Sequence, residues 1–120
     1  MHKARLEKRA RLLKAAEFSH VFDKAVRSGD RYFTILARRG EKGYSRLGLA
    51  ISKKRARLAV TRNRLKRITR ESFRLNQHAI ADADYIVMAG PEASSATNRQ
   101  LFQSLQQHWQ RLKKQLCATS

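Results

Sequence analysis

Hydrophobic positions recur at helical spacing over one long stretch near the middle of the chain, residues 52–76. The stretch contains no Gly or Pro, so nothing in it interrupts a helix. Steps of three and four residues separate the members of one stripe, Leu58, Thr61, Leu65, Ile68, Ser72 and Leu75. This period is that of an amphipathic α-helix, and we expect the stripe to face a core.

Two further stretches have helical periodicity. Residues 15–26 place Phe18 and Phe22 one turn apart, which predicts a short amphipathic helix. Near the end of the chain, Thr97 and Gln100 have the spacing of a capping box that opens a helix. Its expected buried stripe is Leu101, Leu105, His108, Leu112 and Leu116, and Trp109 beside it is expected to pack in or at the edge of the core.

Three stretches are typical of strands: 31–38, 44–51 and 84–88. In the first, Tyr32, Thr34 and Leu36 alternate with an equally apolar opposite face. A five-residue turn with two glycines, 39–43, predicts an antiparallel hairpin between the first two strands. The second and third flank the long helix, which predicts a βαβ unit with parallel strands.

The polar positions of the central stretch are almost all cationic. Residues 52–76 hold ten Lys or Arg and one acid, Glu71. On a helix, Asn63, Lys66, Arg67, Arg70 and Arg74 collect opposite the stripe, and Arg62 and Arg64 flank it. Solvated helix faces usually mix signs, and neighbouring cations without partners repel each other. A phosphate backbone removes this repulsion, so the pattern favours a polyanionic partner.

Composition leads to the same class of partner. The chain has 120 residues, a net charge of +18 and 42% hydrophobic residues. Its length and hydrophobic content are enough for one folded domain, and its charge is too high for an ordinary enzyme.

We expect a basic flexible arm over 1–12, an RNA-binding α/β domain over 13–117 and a tail over 118–120. There is no apolar run long enough for a membrane span and no secretory signal, so a cytoplasmic location without a membrane partner is expected.

No catalytic set is visible. The acids are dispersed, although Asp82 and Asp84 could share one side of an extended segment. The four histidines lie in different elements, and Cys117 is the single cysteine. Walker and dinucleotide motifs are absent, so no cofactor is predicted for the protein itself. The interpretation is a binding module, or a subunit whose partner performs the chemistry.

The chain resembles the bacterial ribonuclease P protein component. The family's signature helix reads Arg-Asn-Arg-x-Lys-Arg-x-x-Arg-Glu-x-Phe-Arg, and residues 62–74 match it. The strand and Ser-Lys-Lys turn before the helix also match, at Arg46, Gly48 and residues 52–54. The resemblance covers about residues 11–116, including a first helix that contains Phe18 and Phe22.

The resemblance implies a single-domain α+β sandwich of order α-β-β-α-β-α. Its mixed sheet would have a left-handed βαβ crossover, as in the second domain of ribosomal protein S5, although spacing alone favours a right-handed one. It also implies a function. The protein would be the accessory subunit of the endoribonuclease that removes the 5′ leader of precursor tRNA, with the active site and bound Mg²⁺ in the RNA subunit and no protein partner required.

The resemblance also assigns residues. RNA contact is implied for eight residues: Lys53, Lys54, Arg62, Asn63, Arg64, Lys66, Arg67 and Arg70. Arg57 and Arg74, in the same stretch, complete the predicted RNA-binding set. Phe18, Phe22 and Tyr32 would line a cleft for the leader, where some members have an aromatic residue near the position of Leu36. From the residues alone, Phe18 and Phe22 could instead be core residues.

Two other classes of function compete with this one. A ribosomal or other structural RNA-binding protein would have the same charge pattern but no effect on precursor tRNA cleavage. A self-sufficient nuclease would need its own acid–base pair and would cut RNA alone.

Overall fold

A computed structural model of the protein describes residues 8–40 and 42–118. A short 3₁₀ helix, Lys8–Ala10, precedes three α-helices and four strands. In chain order these are α1 (Ala15–Asp23), β1 (Val26–Gly29), β2 (Phe33–Arg38), β3 (Arg46–Ala50), α2 (Ala59–Asn76), β4 (Asp84–Ala89) and α3 (Asn98–Ala118).

The four strands form one mixed sheet in the order β1-β2-β4-β3. β3 and β4 are parallel, with Gly48 opposite Ile86, which confirms the predicted βαβ unit. The hand of its crossover stays a prediction. The predicted hairpin is wrong, because β2 pairs with β1 and β4, both antiparallel, and β3 lies at the sheet edge beyond β4. A strand with two apolar faces, such as β2, is suited to this interior position.

The sequence analysis missed β1 and assigned its first residue to the preceding helix. Its four residues read Val-Arg-Ser-Gly, too short and polar to register as a strand. The turn after it is set by Asp30, whose Oδ1 accepts hydrogen bonds from the backbone N–H groups of Tyr32 and Phe33 at 2.8 and 2.9 Å. Such local bonding by Asp is a common cause of tight turns.

The larger core lies between the sheet and the helices α2 and α3. Phe73, Tyr85 and Trp109 meet edge to face with centroids 5.6–5.9 Å apart, and the indole of Trp109 donates to Ser72 Oγ at 2.9 Å. The α3 stripe is buried throughout, and its capping box forms between Thr97 and Gln100. These predictions for α3 are confirmed.

The predicted stripe of α2 holds only in its middle. Leu65, Ile68 and Ser72 are buried, whereas Leu58 and Leu75 are 65% and 63% exposed. The helix begins at Ala59, after the Ser-Lys-Lys turn of residues 52–54, and its buried face includes Thr69 and Phe73. An ideal helix turns 100° per residue, so a stripe followed by steps of three and four drifts off the buried face at its ends.

The opposite face of the sheet is covered only in part, by α1 and the segment before it. Leu12, Val21 and Ile86 form a small buried cluster with Phe18 against it. Leu12 N donates to Leu47 O at 2.8 Å, so the packed domain begins before the predicted boundary at residue 13. Residues 1–7 of the predicted arm and 119–120 of the predicted tail lie outside the described residues. No helix in the described ranges has the length and apolar character needed to cross a bilayer.

Candidate nucleic-acid interface

The solvent side of α2 bears the predicted row of cations. Asn63 and Arg67 are exposed, and Lys66, Arg70 and Arg74 are half-buried along the same side. Glu71 is the only acid of α2. Among the described residues, no side chain forms a hydrogen bond or ion pair with Lys66, Arg67 or Arg70. The positive charge of this face is therefore not neutralised within the described part of the molecule.

The loop before α2, residues 52–58, extends the cationic surface. Lys53, Lys54 and Arg57 are exposed, while Ala56 is buried and anchors the loop. Arg62, at the end of the first turn of α2, donates through Nη1 to Ala56 O and Arg57 O, both at 2.9 Å. One predicted RNA-binding residue thus has a role in the protein: its guanidinium fixes the loop that presents the others.

Arg64 also has partners within the protein. Its Nη1 donates to Asn98 Oδ1 at 2.7 Å, and its Nη2 donates to Ser94 O and Ala96 O, both at 3.3 Å. Both acceptors of Nη2 belong to the segment between β4 and α3. Arg64 therefore clamps α2 to the start of α3, and the sequence pattern contained no sign of this contact.

A groove of about 430 Å³ crosses the part of the sheet that α1 leaves open. Thr34 and Leu36 of β2, Ala50 of β3 and Met88 of β4 form its floor, and Arg27 and Arg55 line it from β1 and from the loop before α2. We call this the sheet groove. Its floor is largely apolar and its two charged residues are both cations, which suits a single nucleic-acid strand.

The three predicted cleft aromatics differ in their surroundings. Phe22 is 50% exposed on α1, Phe18 packs in the small cluster, and Tyr32 contacts the larger core before β2 begins. None of them lines the sheet groove, although Leu36 does. The sequence analysis did not single out Arg27 or Arg55, although Arg55 lies in the basic stretch.

A close approach and an ion network hold α1 beside this groove. A Cβ at Gly48 would lie 2.7 Å from Cζ of Phe18, so the ring needs a glycine at this point of β3. Arg46 donates to both oxygens of Asp84, at 2.8 and 2.7 Å, and to Glu17 Oε2 at 2.9 Å. Hydrogen bonds from the backbone of Lys14, and then Leu13, lower the pKa of Glu17, so this carboxylate stays ionised.

Away from the cationic surface and the sheet groove, one buried polar cluster, around His108, has a structural role. Among the described residues, no three His, Cys, Asp or Glu side chains are placed to hold a metal ion. His108 is fully buried, with Nδ1 2.6 Å from Ser28 Oγ and Nε2 3.2 Å from Asp30 Oδ2. Burial lowers the pKa of His108, although the Asp30 carboxylate opposes this shift. This cluster joins α3 to β1 inside the protein.

Comparison with known proteins identifies the family. The family model described as Ribonuclease P matches residues 6–113. The chain is 48% identical to the ribonuclease P protein component of Methylococcus capsulatus over 99 residues, 82% of this chain and 77% of the relative. It is 44% identical to that of Vibrio campbellii over 102 residues, 85% of this chain and 86% of the relative.

Solved structures show the same fold. The Staphylococcus aureus RNase P protein superposes with a TM-score of 0.78 at 33% identity, covering 85% of this chain and 93% of that one. The Thermotoga maritima RNase P protein gives 0.76 at 29% identity, covering 84% and 96%. The chain therefore belongs to the ribonuclease P protein component family, the RNA-binding protein subunits of an endoribonuclease holoenzyme of tRNA processing.

Proposed function

We propose that this protein binds the ribonuclease P RNA through α2 and the loop before it, and holds the 5′ leader of precursor tRNA in the sheet groove. The observation that carries the proposal is the uncompensated cationic surface that runs from Lys53 to Arg74 beside a groove lined by Arg27 and Arg55. Phosphate neutralisation by such a surface releases counterions and supplies affinity without sequence preference.

The RNA subunit is the partner we assign to the helix. Lys53, Lys54, Asn63 and Arg67 are exposed and suited to direct phosphate contact. A structured RNA presents its phosphates in fixed positions. It therefore binds more tightly to cations that are held on a rigid helix and on a loop that Arg62 fixes.

The leader is the partner we assign to the sheet groove. A single strand can place its bases on an apolar floor while its phosphates meet cations at the sides. Leu36, Ala50 and Met88 supply such a floor between Arg27 and Arg55. Phe22, half-exposed on α1, is the aromatic we expect a leader base to reach. Phe18 and Tyr32 are expected to act through packing instead.

The chemistry is assigned to the RNA. In this proposal the ribonuclease P RNA binds Mg²⁺ and cleaves the phosphodiester, and the protein raises affinity for the leader-bearing substrate. Removal of the protein should then slow cleavage most at low Mg²⁺, where phosphate repulsion is least screened.

Reconstitution tests the proposal. Purified protein is mixed with a bacterial ribonuclease P RNA at low Mg²⁺, and leader removal from a precursor tRNA is measured. The expected result is strong stimulation by the wild-type protein and no cleavage by the protein alone. Arg67→Ala should reduce stimulation, whereas Lys113→Ala, which removes one charge from the exposed side of α3, should not.

Two results would contradict the proposal. Tight binding to the RNA without any gain in processing would favour a structural RNA-binding protein, and cleavage by the protein alone would favour a nuclease.

A further inference from the structure

Strand β1 joins a buried contact on one face of the sheet to the sheet groove on the other. It has four residues, lies at the edge of the sheet and pairs only with β2. Successive residues of a strand point to opposite faces. Ser28 is buried against α3, and Arg27 beside it is exposed and lines the sheet groove. Whatever holds Ser28 therefore also sets the position of Arg27.

The buried contact is directional. Ser28 Oγ lies 2.6 Å from Nδ1 of His108, which is fully buried. Nε2 of the same ring faces Asp30 Oδ2 at 3.2 Å. A carboxylate oxygen only accepts, so the ring carries its proton on Nε2, and Nδ1 accepts from the Ser28 hydroxyl. Asp30 Oδ2 also accepts from Ser104 Oγ at 2.7 Å, which fixes the carboxylate that orients the ring.

A second contact from α3 holds the backbone of β1. Gln115 Nε2 donates to Arg27 O at 3.2 Å, on the edge of β1 that has no neighbouring strand. His108 and Gln115 are seven residues apart, two helical turns, so they lie on one face of α3. A strand of four residues with one neighbour has few ladder hydrogen bonds. Its position therefore depends on this face of α3.

The position of β1 matters because of what Arg27 can reach. Among the described residues, the Arg27 guanidinium has no hydrogen-bond or ion-pair partner, so it is available to a ligand. A charge-assisted hydrogen bond to phosphate is short, about 2.7–2.9 Å. A shift of the strand by about 1 Å would lengthen such a bond beyond its useful range.

We infer that α3 is a positioning element for the leader: His108 and Gln115 hold β1 so that Arg27 meets a phosphate of the single strand in the sheet groove. The inference rests on the proposed function, namely that this groove holds the leader. Ser28, His108 and Gln115 do not line the groove themselves. They are positioning residues that act through Arg27.

A pair of glutamine variants tests the inference. Gln115→Ala removes the contact with Arg27 O, and Gln110→Ala is the matched control, because Gln110 is exposed on the same helix and makes no hydrogen bond to β1. The protein is assembled with a ribonuclease P RNA. Affinity is measured for mature tRNA and for a precursor tRNA made uncleavable at the scissile phosphate, over a range of salt concentrations.

Gln115→Ala should weaken binding of the precursor by about threefold, part of the roughly tenfold that a charge-assisted hydrogen bond contributes. Binding of mature tRNA should not change. The salt slope for the precursor should also fall, by up to about 0.7 for one phosphate contact on a single strand. A neutral substitution can have this effect only by displacing a cation. Gln110→Ala should match the wild type in every measurement.

A double-mutant cycle identifies Arg27 as the group that is positioned. Arg27→Ala alone should weaken binding of the precursor by about tenfold. Gln115→Ala should then have no further effect in the Arg27→Ala background, because the contact that it positions is already lost.

Ser28→Ala applies the same cycle to the buried contact. Its control is Ser72→Ala, since Ser72 is also buried and accepts a hydrogen bond from α3, from Trp109 Nε1 at 2.9 Å. Both serine variants should unfold at lower temperature, and only Ser28→Ala should weaken binding of the precursor selectively. If Ser28→Ala does not fold, the glutamine pair decides alone.

The inference is overturned if Gln115→Ala binds the precursor as the wild type does, weakens both RNAs equally, or keeps its effect in the Arg27→Ala background. Each of these results leaves the proposed function standing as long as Arg27→Ala weakens binding of the precursor alone. Equal affinity of the wild type for both RNAs, unchanged by Arg27→Ala, would instead refute the assignment of the leader to the sheet groove.

Discussion

Arg64→Lys is the substitution that best separates protein contacts from RNA contacts on α2. Lysine keeps the charge but has a single ammonium group in place of the guanidinium fork. Arg64 uses both arms of that fork, one toward Asn98 and one toward the carbonyls of Ser94 and Ala96. A lysine can replace the contact with Asn98 and must lose at least one of the others.

The expected loss is small and measurable. The two contacts of Nη2 are long, 3.3 Å each, and lie near the surface, so together they contribute about 1 kcal/mol. For a domain of 120 residues, this loss lowers the unfolding temperature by about 4 °C. Arg67→Lys is the matched control, since Arg67 is exposed on the same helix and has no hydrogen-bond or ion-pair partner among the described residues.

Thermal unfolding and RNA affinity are measured on both variants. Arg64→Lys should lower the unfolding temperature, and Arg67→Lys should leave it unchanged while weakening RNA binding only slightly, because the charge remains. An unchanged unfolding temperature for Arg64→Lys, together with an affinity loss of about tenfold, would refute the clamp. It would mean that the guanidinium leaves its protein partners to grip phosphate or a base edge.

Three other predictions concern α1, β3 and the buried histidine of α3. Phe22→Leu should leave the unfolding temperature nearly unchanged, since the ring is 50% exposed, yet weaken binding of leader-bearing precursor tRNA more than binding of mature tRNA; equal losses for both RNAs would count against a leader contact. Gly48→Ala forces the Phe18 ring to move and should cost about 1–3 kcal/mol of stability in denaturant unfolding, while wild-type stability would show that α1 can shift freely. Because burial lowers the pKa of His108, the unfolded chain binds more protons below about pH 6.5, so stability should fall as the pH drops from about 6.5 toward 5; His108→Gln should flatten this dependence, and His78→Gln, at an exposed position, should keep it.

Local pattern was sufficient where periodicity, a cap or the order strand, helix, strand identifies an element. The α3 stripe and capping box, the alternation of β2 and the parallel pairing of β3 with β4 could all be predicted. The failures concern the order of the strands in the sheet and one short, polar strand. Nothing within residues 39–43 reveals that β4 lies between β2 and β3, and β1 gains its strand conformation only by pairing with β2.

The candidate site was likewise predicted only in part. The sequence predicts that a row of cations lies along one side of α2, and in the structure this row lies on the solvent side of the helix. It does not tell which of them the protein uses itself, because Arg62 and Arg64 bind carbonyl groups of loops that only the fold brings near. Of the residues that line the sheet groove, the resemblance had pointed only to the position of Leu36, because the groove combines residues of β1, β2, β3, β4 and the loop before α2.

This division of the cations has a physical consequence for RNA binding. Two guanidinium groups fix the loop before α2 and the start of α3, so the exposed cations on α2 and its loop are presented on a rigid surface. Fixed charges repel one another in the free protein, and that repulsion is relieved when phosphates arrive. The cost of ordering the surface is met on folding, so less of the binding energy is lost to immobilising side chains. Loss of Arg62 or Arg64 should therefore reduce RNA affinity although the RNA touches neither side chain.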